Sequence, residues 1–272
     1  MKWFFALCSE SKDCTRTIEH LKVAVNSAKQ NTNLQPYFLY DGEEDELTEW
    51  LSKNGVNVYI TQVSFLDILK NHPKLESIGT ARGAYLRVEV PRLMKQLKLD
   101  DKYVLYTDCD VIFTKKSEDI FNYTPEYFVA APEFHETDYT YFNTGVMLMN
   151  IDNMYKTRKE FIKFIKDVLS KAKHFQPREG FTYDWYDQSM YNEFYKNKAE
   201  RLDPIYNWKP YWGYSDKAKI IHFHGPKIDS IRIIENIELP DVLMHLYFTG
   251  QQKDKGYTKY KALFDEFNIH TK

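Results

Sequence analysis

Short apolar runs alternate with amphipathic segments through residues 1–60 of the chain. The apolar runs at 3–8, 35–40 and 56–60 predict buried strands, and apolar residues recur at helical spacing over 17–30 and 44–54 between them. This strand, helix, strand order is typical of a parallel sheet with right-handed crossovers, whose ligand crevice lies outside the carboxyl ends of the strands. We therefore predict a ligand site at the loop that follows the first strand.

The rest of the chain continues this pattern without an internal repeat or a long linker. It predicts strands over 103–113, 127–131 and 142–151, a strand that begins at Ile220, and helices over 80–97, 118–121, 156–173 and 184–194. A polar loop is predicted over 132–141. The sequence therefore predicts an α/β fold, with one domain over 1–227 and a helical C-terminal extension over 228–272.

Two carboxylates, Asp108 and Asp110, interrupt the apolar run at 103–113. Residues i and i+2 of a strand point to the same side, so these carboxylates would project together from a half-buried position, where they need a cation or a shared proton. Carboxylate oxygens suit Mg²⁺ or Mn²⁺, and the pair is therefore a candidate divalent-metal site. The alternative is that one aspartate begins a turn and the other caps the next segment.

Four further side chains carry candidate chemistry but also have structural explanations. Arg82 and Arg87 would lie near the crevice if the predicted helix packs under it, and guanidinium groups bind diphosphates well, but a solvated helix face explains both equally. Asp187 falls in the first turn of a predicted helix, where the helix dipole favours any acid. His222 could meet the aspartate pair only if the sheet brings them together, and a satisfied structural histidine is the alternative.

Charge and motif content exclude several kinds of partner. The chain has 37 basic and 39 acidic residues and a formal net charge of −2, so it lacks the basic footprint of a nucleic-acid-binding protein. No Gly-X-Gly-X-X-Gly or Walker sequence is present, so neither a dinucleotide site nor a P-loop is supported. We predict no nucleic-acid partner.

Cysteine usage and the apolar start of the chain bear on its location. Cys8, Cys14 and Cys109 show no metal-binding spacing and leave an odd thiol, which fits a reducing cytoplasm. The apolar segment 3–8 is too short for a signal sequence or a membrane span. The C-terminal tail could contact an anionic membrane surface, although a solvated helix face explains its charges as well. The residues concerned are Lys253, Lys255, Lys259 and Lys261, among Tyr257 and Tyr260.

A series of short motifs in a fixed order is more specific than any one of them. In chain order these are Ala84-Tyr85-Leu86-Arg87, Leu105-Tyr106-Thr107-Asp108-Cys109-Asp110, Tyr141-Phe142-Asn143-Thr144-Gly145-Val146, Asp187-Gln188-Ser189-Met190-Tyr191-Asn192, Tyr206-Asn207 and His222-Phe223-His224-Gly225-Pro226-Lys227. Over about residues 80–227 the series closely resembles glycosyltransferase family 8. That family includes glycogenin, bacterial lipopolysaccharide galactosyl- and glucosyltransferases, and galactinol synthase.

The resemblance implies a GT-A fold, in which a single Rossmann-like mixed sheet is sandwiched by helices. It implies a retaining transferase that moves a hexose, galactose or glucose, from a UDP-sugar donor to a glycan, a lipid-linked acceptor or another small hydroxyl compound. Mn²⁺ is the expected cofactor and Mg²⁺ the alternative ion.

The resemblance also implies roles for the residues that match the family's motifs. Asp108, Asp110 and His222 match the metal ligands. Asn143, Asp187 and Gln188 match residues around the transferred sugar and are the candidate catalytic residues. Ala6 and Cys8 match the segment, through Glu10, that receives uracil and ribose, and Arg87 matches a basic position that helps to hold the donor. Glu133 matches an acidic residue beside the donor sugar. Gly225 lies in the turn that presents Lys227 to the β-phosphate.

Two departures from the family's pattern bear on the donor site. Lys227 comes one residue early and is followed by Ile228, and the first-strand loop reads Ser9-Glu10-Ser11 where the family commonly has Asp-Asn-Tyr. A nucleotide-sugar-binding protein that has lost catalysis is therefore one alternative. A haloacid dehalogenase-type phosphatase is another, because its nucleophile motif also places Asp-X-Asp on a hydrophobic strand. That motif normally lies near the start of the chain, whereas here three predicted strands precede it.

Overall fold

A seven-stranded mixed sheet lies at the centre of the fold. The computed structural model describes residues 1–11, 14–72, 77–171, 186–228 and 241–268. The central strands are β1 (Lys2–Cys8), β2 (Gln35–Asp41), β3 (Asn57–Ile60), β4 (Tyr103–Thr107), β6 (Phe128–Pro132), β7 (Phe142–Asn150) and β8 (Glu200–Arg201). A separate two-stranded sheet consists of β5 (Val111–Phe113) and β9 (Ile220–His222).

Helices cover both faces of the central sheet. The described helices are α1 (Cys14–Asn31), α2 (Glu46–Lys53), α3 (Leu66–Lys70), α4 (Ile78–Tyr85), α5 (Val90–Gln96), α6 (Ile151–Ser170), α7 (Asp187–Phe194), α8 (Asp241–Gln252) and α9 (Gly256–Asn268), of which α1 to α7 cover the sheet. Short 3₁₀ turns occupy Leu86–Glu89, Glu118–Asn122, Pro204–Tyr206 and Pro210–Trp212.

The strand order of the central sheet is β3-β2-β1-β4-β7-β6-β8. The first four strands of this order run parallel, and β7 runs antiparallel to both β4 and β6. The predicted α/β fold, with one mixed sheet sandwiched by helices, is therefore confirmed.

Two hydrophobic cores, one on each face of the sheet, explain why β1 is apolar along its whole length. Phe4 and Ala6 face the core formed with α4 to α7, whereas Trp3, Phe5 and Leu7 face the core formed with α1 and α2. Because consecutive side chains point to opposite faces of a strand, burial of both faces requires a continuous apolar run.

The C-terminal helices pack against the domain through a third core. Tyr257, Tyr260 and Phe264 of α9 are buried against Val23 of α1 and Phe223. The described part of the predicted extension, 241–268, is thus helical, whereas 229–240 and 269–272 lie outside the described residues. The division of the chain between 227 and 228 stays a prediction. Because both tyrosines are buried, they do not contribute to the surface that the sequence offered for membrane contact. Among the described residues, no helix combines the length and apolar character needed to cross a bilayer.

Two predicted elements are wrong in their extent. The strand predicted over 103–113 is two strands, β4 and β5, because the chain turns at Asp108–Asp110 and leaves the central sheet for the small one. The helix predicted over 80–97 is broken into α4, a 3₁₀ turn and α5. Pro91 lies in the first turn of α5, where proline is tolerated. Because it has no N–H, it cannot bond back to a carbonyl of the preceding turn, and the helix is interrupted there.

Candidate active site

Asp108 and Asp110 lie in the turn between β4 and β5. The antiparallel pairing of β5 with β9 sets Val111 opposite His222, which brings the imidazole to the two carboxylates. His222 Nε2 lies 3.6 Å from Asp108 Oδ2 and 3.3 Å from Asp110 Oδ1. One ligand atom from each of the three residues lies within 4.8 Å of the others. Side chains that are far apart in the sequence thus form one cluster, which we call the Asp-Asp-His cluster.

Gly145 of β7 makes room for this cluster. A Cβ atom at this position would lie 2.1 Å from His222 Cε1 and 2.8 Å from Asp108 Oδ2. The Gly145 carbonyl also accepts the backbone N–H of Asp108 at 2.8 Å, which fixes the start of the turn. Any side chain at position 145 would therefore displace the imidazole or the carboxylate.

Each carboxylate presents one oxygen to the imidazole and the other to a cationic side chain. Asp108 Oδ1 lies 2.7 Å from Arg87 Nη2, and Asp110 Oδ2 is ion-paired with Lys227 Nζ. Around a divalent ion with metal–ligand bonds of about 2.1 Å, neighbouring ligand atoms lie roughly 3 Å from each other. The distances of 3.3 and 3.6 Å between His222 Nε2 and the two carboxylate oxygens are close to this value. Two carboxylate oxygens and an imidazole nitrogen are a donor set that suits Mn²⁺. The cluster therefore fits a divalent metal ion.

Arg87 is the central cation of the site. Its Nε lies 2.8 Å from Asp187 Oδ2, Nη1 donates to the Thr144 carbonyl, and the guanidinium lies 4.6 Å from the centre of the Tyr106 ring. Burial lowers the pKa of Arg87, but Asp108 and Asp187 outweigh it, so the pKa is raised and the group stays charged. Arg87 thereby links the Asp-Asp-His cluster to the start of α7.

The first turn of α7 carries Asp187 and Gln188 against β7. Besides its contact with Arg87, Asp187 Oδ2 accepts a hydrogen bond from Thr144 Oγ1 at 3.2 Å. Gln188 Oε1 accepts from the Thr144 backbone N–H at 3.0 Å and from Asn143 Nδ2 at 3.1 Å. Because the amide oxygen of Gln188 faces the protein, its Nε2 is the group available to donate to a ligand.

Glu133 lies behind Asn143. It is only 4% exposed, and its Oε2 accepts a hydrogen bond from Asn143 Nδ2 at 2.7 Å, while Oε1 lies 3.1 Å from His224 Nε2. Burial raises the pKa of Glu133, but His224 and Lys209 outweigh it and lower the pKa below its usual value. A direct contact between Glu133 and a donor sugar stays a prediction.

A cleft of about 360 Å³ opens beside the Asp-Asp-His cluster. The predicted site residues that line it are Ala6, Cys8, Arg87, Asp108, Asp110, Asn143, Asp187, Gln188 and Lys227. Glu133, His222 and Gly225 are not among its lining residues. The cleft thus runs from the end of β1, where the sequence predicts a ligand loop, past the cluster to α7.

Lys227 reaches back to the cluster across a tight turn. Gly225 has a φ of +95°, a left-handed conformation that favours glycine, and this turn returns Lys227 toward Asp110. Lys227 Nζ also donates to the Phe223 carbonyl at 2.7 Å. Burial raises the pKa of Asp110, but Lys227 and His222 outweigh it and hold that pKa well below the usual range. Lys227 therefore lines the cleft although it comes one residue early in the sequence.

Arg82 is held away from the Asp-Asp-His cluster. Its Nε and Nη2 each lie 2.6 Å from a carboxylate oxygen of Asp41, and its Nη1 lies 2.6 Å from Glu10 Oε2. Asp41 is at the end of β2 and is fully buried. Arg82 therefore anchors the loop after β1, and its guanidinium is not a free fork for a diphosphate.

Two residues that the sequence prediction left without a role are part of the site. Thr144 contacts Asp187, Gln188 and, through its carbonyl, Arg87. Asn207 bridges Asn143 and His222. Both stand in the motif series, and this was the only signal in the sequence for them. Asn207 and Asn143 are separated by 64 residues, so no local pattern could predict their contact.

Sequence comparison finds similarity to a glycosyltransferase and to a glycogenin. The chain is 26% identical over 243 residues to glycosyltransferase GlyB of Streptococcus pneumoniae, and 27% identical over 168 residues to glycogenin of Neurospora crassa. These alignments cover 86% and 58% of this chain, but only 54% and 20% of the relatives. The chain thus spans about half of GlyB and a fifth of that glycogenin.

Solved structures share the fold. The galactosyltransferase LgtC in complex with donor and acceptor sugar analogs has a TM-score of 0.59 at 18% identity, over 90% of this chain and 100% of that chain. The glycosyltransferase GlyE of Streptococcus pneumoniae has a TM-score of 0.57 at 17% identity, over 97% of this chain and 63% of that chain. At such identities the likeness supports the fold.

The family profile covers most of the chain. Glycosyl transferase family 8 matches residues 17–227, a range that contains all the described strands except β1 and includes the entire Asp-Asp-His cluster. This assignment leaves no support for the haloacid dehalogenase alternative. The chain belongs to glycosyl transferase family 8.

Proposed function

We propose that this chain is a metal-dependent, retaining hexosyltransferase that moves galactose or glucose from a UDP-sugar to a hydroxyl group of a glycan, a lipid-linked compound or a small acceptor. The observation that carries the proposal is the Asp-Asp-His cluster at the wall of the cleft, with Arg87 and Lys227 on either side of it. Two carboxylates, one imidazole and two flanking cations form a site for a metal-bound diphosphate.

Asp108, Asp110 and His222 would hold Mn²⁺, or Mg²⁺ as the alternative. When bound, the ion would neutralise charge on the diphosphate as the glycosidic bond breaks. Arg87 and Lys227 would bind the same diphosphate by charge-assisted hydrogen bonds. Ala6 and Cys8 line the cleft at the end of β1, and we assign this end to uracil and ribose.

The other end of the cleft would receive the sugar. Asn143, Asp187 and Gln188 line it. Asn143 donates to Gln188, and Thr144 donates to both Gln188 and Asp187, so these positions are fixed before a ligand binds. Gln188 Nε2 would donate to a sugar hydroxyl, and the Asp187 carboxylate would stabilise positive charge on the sugar ring. These side chains therefore account for orientation of the donor.

Retention requires either a carboxylate nucleophile on the far face of the sugar or departure and attack on one face. Asp187 Oδ2 is held by Arg87 and Thr144, and Glu133 is buried behind Asn143. These contacts favour same-face substitution. The acceptor oxygen bonds to the anomeric carbon as the bond to UDP breaks, and the hydroxyl proton passes to the departing phosphate.

The test is UDP release from a panel of UDP-sugars with Mn²⁺, with Mg²⁺ or with a chelator. Asp110→Asn removes one ligand charge at constant size, and Asp152→Asn is the control, since Asp152 forms an exposed ion pair with Lys95 outside the cleft. We expect metal-dependent release from one preferred donor, lost in Asp110→Asn and kept in Asp152→Asn.

Other outcomes would separate the alternatives. Donors that are not consumed, together with a melting temperature raised by UDP and Mn²⁺, would support a binding protein without catalysis. Hydrolysis of a simple phosphate ester without any effect of UDP-sugars would contradict the proposal altogether. Contact of the C-terminal lysines with a membrane stays a prediction, which vesicle co-sedimentation can check. Cytoplasmic location also stays a prediction.

A further inference from the structure

A buried chain of hydrogen bonds runs from Glu133 to His222. Asn143 Nδ2 donates to Glu133 Oε2 at 2.7 Å, Asn207 Nδ2 donates to Asn143 Oδ1 at 2.8 Å, and Asn207 Oδ1 lies 3.0 Å from His222 Nδ1. The four side chains are between 0% and 4% exposed. With so little access to solvent, each polar atom depends on its protein partner.

Two groups of unambiguous character fix the orientation of the Asn143 amide. Glu133, whose lowered pKa keeps it ionised, can only accept hydrogen bonds, so the NH₂ group of Asn143 must face it. The backbone N–H of Gly145 can only donate, and it lies 2.9 Å from Asn143 Oδ1. The reverse orientation would set the amide oxygen against a carboxylate and the NH₂ group against an N–H.

The orientation of Asn143 determines that of Asn207. Because Asn143 presents its amide oxygen, Asn207 must present its NH₂ group to it, and its own oxygen then faces His222. An amide oxygen only accepts, so His222 Nδ1 must carry a hydrogen. In the neutral ring, Nε2 then has a lone pair, and Nε2 is the atom that faces Asp108 and Asp110.

We propose that Glu133, Asn143 and Asn207 act as positioning residues that hold His222 in its Nδ1–H tautomer, so that Nε2 is ready to bind a metal ion. This inference rests on the proposed metal site. It gives Glu133 a function that needs no contact with the donor sugar. Of these three residues, Asn207 forms the hydrogen bond to His222 Nδ1, and it therefore orients the imidazole.

The first measurement is made on the wild-type protein, and a variant serves only to assign its signals. Protein labelled with ¹⁵N-histidine and freed of metal by a chelator is studied by long-range ¹H–¹⁵N NMR, and His222→Gln identifies the signal of His222 among the eight histidines. We expect the neutral ring to carry its hydrogen on Nδ1, which donates to Asn207 Oδ1. A neutral ring with its hydrogen on Nε2 would overturn the inference whether or not the protein is a transferase.

The second measurement is Mn²⁺ affinity without a donor, from the electron paramagnetic resonance signal of free Mn²⁺. Asn207→Leu keeps the side-chain shape but cannot accept from the imidazole. Asn150→Leu is the matched control, because Asn150 is 3% exposed, donates to the Pro125 carbonyl and lies outside the cleft. Loss of such an outer contact typically weakens metal binding about 10- to 100-fold.

We expect that loss for Asn207→Leu, together with a mixed tautomer of His222, and unchanged affinity for Asn150→Leu. Wild-type affinity and tautomer in a folded Asn207→Leu would contradict the inference while leaving the metal site intact. Equal losses in both variants would indicate general destabilisation and would also contradict it. Failure of the wild type to bind Mn²⁺ would instead refute the proposed metal site.

Discussion

Lys227 forms an ion pair with the carboxylate of Asp110, a member of the Asp-Asp-His cluster. The lysine side chain is 37% exposed, so its ammonium can move from this carboxylate to bind a phosphate oxygen in the cleft. The contact therefore links a candidate metal ligand to a candidate diphosphate ligand.

Replacing Lys227 by Met should lower kcat/KM for the UDP-sugar about 10- to 100-fold, because a charge-assisted hydrogen bond contributes roughly 1.5–3 kcal/mol. Initial-rate kinetics over a range of donor concentrations measures this effect. Lys219→Met is the control, since Lys219 pairs with Asp119 outside the cleft. Equal rates for Lys227→Met and wild type would show that the early position of this lysine removes it from the donor site.

Arg87→Lys should destabilise the fold as well as reduce turnover. A lysine keeps the charge but cannot span Asp108 and Asp187 as the planar guanidinium does, so one of these two carboxylates loses its cationic partner. We expect a loss of about 1.5–3 kcal/mol in the free energy of unfolding, measured in urea. Arg201→Lys, at an exposed residue of β8, should unfold at the wild-type midpoint. An unchanged midpoint for Arg87→Lys would contradict the bridging role.

Gly145→Ala should weaken Mn²⁺ binding at least about tenfold, because its Cβ would lie 2.1 Å from His222 Cε1 and must push the imidazole aside. Overpacking of this kind also costs roughly 1–3 kcal/mol of stability. Mn²⁺ titration without donor, combined with thermal melting, separates the two effects. Tight Mn²⁺ binding by Gly145→Ala would mean that His222 is not a ligand.

Lys209→Met should stabilise the protein in a pH-dependent manner. Lys209 is fully buried, and burial lowers its pKa from 10.5 to about 7, although Glu133 partly opposes this. Between about pH 7 and pH 10.5 the unfolded chain binds a proton that the folded chain does not, so the wild type gains stability as the pH rises.

The gain from Met should therefore be largest at and below pH 7, about 1–4 kcal/mol, and should shrink toward pH 10.5. Melting curves of both proteins from pH 6 to pH 10 measure it. A difference that does not change with pH would show that Lys209 titrates normally.

The sequence predicted the order of the major elements and the chemistry of the cluster. The 3.6-residue and two-residue periods are local properties, so α1, β2 and α2 lie close to where the apolar pattern predicts them. The motif series identified Asp108, Asp110 and His222 without showing how they meet.

The division of the predicted strand 103–113 into β4 and β5 could not be predicted, because an apolar run does not show which sheet each of its residues joins. Val111 leaves the central sheet since β9, over a hundred residues later, supplies its partner. Likewise, Arg82 and Arg87 have similar local surroundings in the sequence. In the folded chain, Asp41 at the end of β2 and Glu10 hold Arg82 in ion pairs away from the cluster.

By itself, the sequence determined the α/β fold, the family and the residue types at the cluster, because hydrophobic period and motif order are carried along the chain. The tertiary structure alone decided which of these side chains touch. The register of β5 with β9 brings His222 to the aspartates, and the packing of β7 sets Asn143 against Asn207. Those contacts depend on long-range pairing and on burial, which removes water and obliges each polar group to find one particular partner.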